Sequence, residues 1–169
     1  MTGGAVFVLV FVPMIIEAAL SARHEAGLRA AGAREPAGDV FRAMQVAYAA
    51  AFLLMLAEGI WRQASFDKVF AIGLATFIGA KALKYWTMAT LGPRWTFRVL
   101  VPPDSTRVVS GPYRFHRHPN YVAVIGELLG AALMTHALVA GPLATIAFGL
   151  LIRRRITVEE RALTENAER

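Results

Sequence analysis

Five long apolar runs separated by polar segments dominate the chain. A helix of about 20 apolar residues spans the hydrocarbon core of a bilayer, so the longer runs predict membrane-spanning helices. The last two runs are short for full crossings and predict a tight helical hairpin, with its second helix continuing into a charged tail. The predicted fold is an all-α integral membrane protein with about five transmembrane helices. The five runs cover residues 2–20, 44–60, 69–91, 121–134 and 138–152.

The polar segments divide this single predicted domain, residues 1–169, into four parts. The first three helices occupy residues 1–91, a polar loop covers 92–121, the hairpin covers 122–152, and a charged C-terminal helix covers 153–169. Within the first part, the glycine-containing stretch 21–42 predicts a surface loop.

Charged and small residues near the ends of the apolar runs carry further expectations. Glu17 and Glu58 lie near the ends of their runs and are expected at the membrane interface. Lys84 is expected to extend its ammonium group out of the hydrocarbon. Ala75 and Gly79 have the small-xxx-small spacing that permits close contact between helices.

Composition strengthens the membrane prediction and excludes several kinds of chemistry. Apolar residues make up 56% of the chain, above the roughly 45–50% of soluble domains. The chain has no cysteine, which excludes disulfides and thiolate catalysis. Its net charge is +6, but the basic residues flank apolar runs. Membrane lipids therefore explain that charge better than nucleic acid does.

The distribution of basic residues predicts an orientation in the membrane. The successive segments outside the apolar runs contain four, two, five, zero and five Lys or Arg residues. Because cytoplasmic segments carry the excess of basic residues, this alternation places the N-terminus outside. The polar loop 92–121 and the C-terminal tail then share the cytosolic face.

The stretch 111–121 concentrates two arginines, two histidines, two tyrosines and two prolines just before an apolar helix. Pro119 suits the first turn of that helix, whose free N–H groups and positive dipole end favour an anion. The alternative is a basic anchor at the membrane boundary. His116 and His118 match no helical metal-ligand spacing with Glu127, so we expect no metal.

One stripe of the fourth helix is small or polar, and it contains Asn120 and Glu127. An acid inside a membrane is a functional hypothesis because its burial is costly. The alternative is a packing face on which Glu127 is satisfied by Lys81, Lys84 or His136. In the tail, Arg155 and Glu159 are four residues apart, and the alternative to a functional role is a helical ion pair.

An ordered set of motifs in the last 80 or so residues resembles the isoprenylcysteine carboxyl methyltransferase family, and the related phospholipid methyltransferases share part of it. Weaker support comes from residues 91–96. The motifs are Gly111-Pro112-Tyr113-Arg114, Arg117-His118-Pro119-Asn120-Tyr121, and Arg155-Ile156 followed by Glu159-Glu160.

The resemblance implies a multi-helix membrane enzyme that uses S-adenosylmethionine. Its cofactor site would lie at the cytosolic end, formed by loop 92–121 and closed by the C-terminal helix. By resemblance, Arg155 and Glu160 are catalytic, and the expected cofactor contacts are His118, Pro119, Tyr121 and Glu159. The helix start and its polar stripe add three further expected contacts, namely Arg117, Asn120 and Glu127.

The expected reaction transfers a methyl group to a carboxylate or hydroxyl of a lipophilic acceptor, either an isoprenoid or lipid-like molecule or a prenylated cysteine. One alternative is an NADPH-dependent reductase of the sterol reductase type, which carries a similar RHPNY element. In such reductases a Gly-Glu pair follows the tyrosine closely, whereas Gly126-Glu127 comes later here. The other alternative is a non-enzymatic membrane scaffold.

Overall fold

Five α-helices form the fold in a computed structural model that describes residues 2–103 and 107–167. Within those residues the regular structure is helical apart from one isolated bridge between Arg34 and Val101, so the all-α prediction is confirmed. Two short 3-10 turns, Gly92–Arg94 and Gly111–Arg114, lie between the third and fourth helices. The α-helices are α1 (Thr2–Ala30), α2 (Phe41–Trp61), α3 (Lys68–Leu91), α4 (Pro119–Met134) and α5 (Ala140–Ala167).

Three of these helices, α1, α2 and α3, are long and apolar enough to cross a membrane, and α4 is a shorter apolar helix. Large apolar side chains point away from the protein interior on these helices, including Ile16, Val46 and Ile72. Such extensive apolar exposure is typical of a lipid-facing surface. The chain is an integral membrane protein.

Small residues bring α3 and α4 into close contact, but they are not the pair expected from the sequence. A side chain added at Gly130 would lie 2.7 Å from the backbone nitrogen of Phe77, and one added at Gly73 would lie 2.6 Å from that of Met134. Gly79 has no such neighbour and faces outward. The small residues that permit close packing therefore lie on a different face of α3.

The first helix is longer than the apolar run that predicts it. The expected surface loop begins only after Ala30, because residues 21–30 continue α1. Ser21 and Leu28 are buried on this extension, and the Ser21 hydroxyl donates a hydrogen bond to Glu25 at 2.8 Å. This more polar segment stays helical because one of its sides is buried and because a side-chain hydrogen bond joins residues one turn apart.

The expected interfacial position is wrong for Glu17 and Lys84. Glu17 is 1% exposed and Lys84 is 2% exposed. Both carboxylate oxygens of Glu17 lie 2.7 Å from a lysine ammonium, one from Lys81 and the other from Lys84. These charges stay inside the helix bundle because each has an oppositely charged partner there.

Glu58, by contrast, lies at the end of its helix and contacts the start of α5. Its carboxylate accepts hydrogen bonds from the backbone nitrogens of Val139 and Ala140, at 3.1 and 2.6 Å. Those N–H groups have no partners within their own helix, and the negative charge matches the positive dipole end. This contact fixes the end of the bundle farthest from the polar loop.

Candidate active site

The polar loop between α3 and α4 is held by the extension of α1. His24 Nδ1 lies 2.8 Å from the carbonyl oxygen of Trp95, and Ser21 Oγ accepts a hydrogen bond from the backbone nitrogen of Phe97 at 2.7 Å. The bridge between Arg34 and Val101 fixes the next part of the loop through two 3.0 Å hydrogen bonds. These contacts order residues 95–101 beside the start of α4.

Asp39, in the connection between α1 and α2, joins this loop to α5. Its carboxylate accepts a hydrogen bond from the backbone nitrogen of Val99 at 3.1 Å and forms an ion pair with Arg155. The Arg155 guanidinium also donates to the carbonyl oxygen of Phe97. The helical ion pair with Glu159, considered above for Arg155, is corrected by the structure: the carboxylate partner of Arg155 is Asp39.

The start of α4 contacts the acidic pair of α5, as the motifs predict. The Tyr121 hydroxyl donates a hydrogen bond to Glu159 at 2.9 Å, and His118 Nε2 lies 2.9 Å from Glu160. Arg107 also donates to Glu160 at 3.0 Å. The hydrogen bond with His118, followed by that from Arg107, holds the pKa of Glu160 below its usual range.

Two cavities meet at this junction. The smaller one, called the polar cavity here, has a volume of about 120 Å³ and lies between the polar loop, α4 and α5. The larger one, called the apolar cavity, has a volume of about 350 Å³ and extends between α1, α2, α4 and α5. The residues lining both cavities are Thr96, Asn120, Tyr121 and Arg155.

Most of the predicted site residues line the polar cavity, namely His118, Asn120, Tyr121, Arg155 and Glu159. The remaining ones lie elsewhere. Pro119 is buried in the first turn of α4, Arg117 is exposed, and Glu160 contacts His118 from outside the lining.

Glu127 does not line the polar cavity, because it is buried among other charges. Its carboxylate lies 3.3 Å from the ammonium groups of both Lys81 and Lys84, and it accepts a hydrogen bond from the Tyr48 hydroxyl. His136, the third partner considered for Glu127, lies instead 3.2 Å from Asp67. The packing alternative for Glu127 therefore describes its contacts correctly.

Several polar-cavity residues were not among the predicted site residues. Arg94 and Trp95 come from the segment that supports the resemblance only weakly, and Tyr113 belongs to the Gly-Pro-Tyr-Arg motif. Burial raises the pKa of the Tyr113 hydroxyl, which keeps it a neutral hydrogen-bonding group. Asp39 carries no motif, so only its position in the fold reveals it.

The donors and acceptors around the polar cavity fit a small zwitterionic ligand. Arg155 is 4% exposed, and its Nε has no hydrogen-bond partner among the described residues. A buried donor without a partner is costly, which favours a ligand acceptor beside it. Glu159 supplies a negative group and Arg94 a positive one on the same lining. The described residues contain no cluster of three metal-ligating side chains.

Comparison with known families agrees with this geometry. The model of the "isoprenylcysteine carboxyl methyltransferase (ICMT) family" matches residues 71–165. The chain belongs to the ICMT family. The ICMT match includes α4, most of α5 and the whole described part of the polar loop, so both motif groups of the site lie inside it. The family is named for a carboxyl methyltransferase activity.

Individual relatives are similar over part or most of the chain. The "uncharacterized protein YpbQ" of Bacillus subtilis is 36% identical over 91 residues, which is 54% of each chain. An "uncharacterized protein" of Haemophilus influenzae is 29% identical over 146 residues, 86% of this chain and 85% of that protein. The "nickel-cobalt-cadmium resistance protein NccN" of Alcaligenes xylosoxydans is 33% identical over 81 residues, 38% of its length. The chain thus spans about half of YpbQ, and no solved structure matches it.

Proposed function

We propose that the chain is an S-adenosylmethionine-dependent methyltransferase that acts on a lipophilic acceptor. The observation that carries the proposal is the wall shared by the polar and apolar cavities, with Asn120, Tyr121 and Arg155 on both sides. A methyl donor in one cavity and an acceptor in the other would have their reactive atoms at this wall. Holding two reactants in such proximity is a large part of catalysis for a bimolecular transfer.

In this proposal the polar cavity holds the cofactor. Arg94 and the positive dipole end of α4 suit its carboxylate, whereas Glu159 suits its ammonium or ribose hydroxyl groups. The rings of Trp95 and Tyr113 provide surfaces for its base. When bound, S-adenosylmethionine supplies an electrophilic methyl group on a sulfonium sulfur. Glu160 supports the site indirectly, by holding His118.

The apolar cavity would receive the acceptor. Met14, Ile15, Val124 and Phe148 line it and suit a hydrocarbon or isoprenoid chain entering from the bilayer. Arg155, at the shared wall, would orient the acceptor oxygen by donating hydrogen bonds. A carboxylate acceptor is already nucleophilic and needs no base. A hydroxyl acceptor must lose its proton to a base as the methyl group is transferred.

Burial of the site supports the proposal because it limits access of water. Asp39 and Arg155 have side chains that are each only 5% exposed. Exclusion of water strengthens the hydrogen bonds that orient the reacting groups and protects the electrophile from hydrolysis. In the membrane we place this end of the bundle at the cytosolic face, with five crossings and the N-terminus outside, on the basis of the basic-residue count.

The proposal is tested by calorimetric titration of the detergent-purified protein with S-adenosylmethionine, S-adenosylhomocysteine and NADPH. We expect the first two to bind in competition with each other and NADPH to give no heat of binding. Binding of NADPH alone would support the reductase alternative. No binding by any of the three would favour a non-enzymatic membrane protein.

A further inference from the structure

Among the polar side chains that line the apolar cavity, Lys84 and Tyr48 are the two that contact Glu127. Lys84 is 2% exposed, and the Tyr48 hydroxyl donates a hydrogen bond to Glu127. Asn120 lines the same cavity at the wall shared with the polar cavity. Asn120 and Glu127 lie seven residues apart on α4, so Lys84 and Tyr48, which contact Glu127, are roughly 10 Å from Asn120 along that helix.

Lys84 and Glu127 belong to a four-charge cluster completed by Glu17 and Lys81. Each lysine ammonium lies 2.7 Å from Glu17 and 3.3 Å from Glu127. Two carboxylates and two ammonium groups leave the cluster with no formal net charge. All four residues are under 9% exposed.

The cost of this cluster points to a role beyond packing. Charges inside a membrane protein are expensive to bury, and buried ion pairs are often no more stabilising than apolar side chains of similar size. The proposed methyl transfer uses none of the four. Of the four, only Lys84 lines the apolar cavity, and the carboxylates of Glu17 and Glu127 keep its ammonium charged and fixed there.

We propose that Lys84 and Tyr48 form a recognition site for an uncharged oxygen of the acceptor, roughly 10 Å from the methylated atom. A lysine ammonium has three N–H donors, and Glu17 and Glu127 account for two of them in the part of the chain that the structure describes. The third donates to the ligand oxygen. If that oxygen belongs to a hydroxyl group, its O–H donates a hydrogen bond to Tyr48 Oη.

The charge balance decides which oxygen fits. A second carboxylate at this position would bring an uncompensated negative charge into a cluster whose charges already cancel, and that is costly away from water. A ketone, ester or hydroxyl adds no charge. The acceptor is therefore an amphiphile with a neutral polar group within its apolar body, not a plain hydrocarbon chain with one polar end. This inference rests on the proposed function in one respect, because it takes the apolar cavity as the site that binds the acceptor.

The test compares the binding of two probes to the full-length protein in nanodiscs, without S-adenosylmethionine. One probe is hexadecanol, and the other is hexadecanol with a ketone roughly 10 Å from its hydroxyl. We expect the ketone probe to bind about tenfold more tightly, because it gains one hydrogen bond to a charged donor. Equal affinities, or no binding of either probe, would overturn the proposal.

Two double variants separate recognition from packing, since each removes one acid and one base. Lys84→Met with Glu127→Gln takes away the cavity-lining lysine and its partner. The ketone probe and plain hexadecanol should then bind with about equal affinity. Arg62→Met with Glu58→Gln is the matched control, because this ion pair lies outside the lining of the cavity and outside the cluster, and the preference should persist. An equal loss of preference in both would mean that the loss reflects destabilisation of the bundle and not recognition by Lys84.

A single variant keeps the test decisive if the first double variant does not fold. Tyr48→Phe removes one hydroxyl and retains the ring. It should weaken binding of a mid-chain hydroxyl probe several-fold and leave plain hexadecanol unaffected. Unchanged affinity for the hydroxyl probe would contradict the assignment of Tyr48. Because these readouts use no cofactor, they stand even if S-adenosylmethionine fails to bind.

Discussion

Asp39 and Arg155 form a buried ion pair that joins the connection before α2 to the C-terminal half of α5. Their positions are 116 residues apart in the sequence. Arg155 lines both cavities, whereas Asp39 lies outside the segment that matches the ICMT family. The part of the chain before residue 71 therefore contributes directly to the geometry of the candidate site.

Asp39→Asn is expected to destabilise the protein by about 3 kcal/mol, because loss of one partner leaves a buried charge uncompensated. Thermal or denaturant unfolding in detergent measures this change. Glu35→Gln is the matched control in the same connection, since Glu35 pairs with Arg29 and Arg98 nearer the surface, and we expect a change of about 1 kcal/mol or less. Equal effects of the two substitutions would contradict a special role for Asp39.

Arg155→Ala is expected to lower turnover more than it lowers affinity for S-adenosylmethionine. Its guanidinium lies at the shared wall, where we place the acceptor oxygen, and an interaction formed mainly during transfer affects kcat more than ground-state binding. The comparison requires the dissociation constant from calorimetry and the rate with an acceptor at saturation. Losses of equal size would instead make Arg155 a cofactor ligand or a structural residue.

Gly130→Ala is expected to destabilise the fold by about 1–3 kcal/mol, because the added methyl group would overpack the contact between α3 and α4. That methyl would lie 2.7 Å from the backbone nitrogen of Phe77, which cannot rotate away as a side chain does. Gly79→Ala serves as the control, since no atom lies within 4 Å of its added carbon. We expect this control to be neutral or slightly stabilising. A similar loss in both variants would disprove the packing argument.

The hydrogen bonds of Glu160 predict a pH-dependent contribution to stability. The pKa of its carboxyl group lies below the ordinary value of 4.5 in the folded protein. Protonation is therefore harder in the folded state, and the stabilisation is fully present above pH 4.5 and lost as the pH falls through the lowered pKa. The difference in melting temperature between the wild type and Glu160→Gln should be constant near neutral pH and shrink in acid. A difference that grows in acid would contradict this sign.

The positions of the helices and the two motif groups of the candidate site could be predicted because both depend on local sequence patterns. Apolar runs specify helix positions, and the resemblance places the start of α4 and the acidic pair of the C-terminal helix at one site. The particular hydrogen bonds between them, Tyr121 to Glu159 and His118 to Glu160, come from the structure. The extension of α1 to Ala30 was missed because hydropathy falls after Leu20, although the segment packs against the polar loop and remains helical.

The contacts of Glu127 with Lys81 and Lys84 were foreseen only as one alternative, and the burial of Glu17 and Lys84 was not predicted, because their partners are distant in the sequence. Glu17 and Lys81 are 64 positions apart, and a charge near the end of an apolar run has the same local pattern whether it reaches water or meets a partner. Asp39 presents a similar difficulty, since nothing around it in the sequence distinguishes it from a loop aspartate. Only the packing of α1, α3 and α4 brings Glu17, Lys81, Lys84 and Glu127 together.

The most direct test of the proposed cofactor site is the affinity for S-adenosylmethionine of two neighbouring variants, Glu159→Gln and Glu160→Gln, measured by calorimetry beside the wild type. Glu159 lines the polar cavity, whereas Glu160 contacts His118 from outside it. We expect Glu159→Gln to weaken binding about tenfold or more, through loss of one hydrogen bond to a charged group, and Glu160→Gln to weaken it by a smaller factor. Unchanged affinity in Glu159→Gln would contradict the placement of the cofactor in the polar cavity.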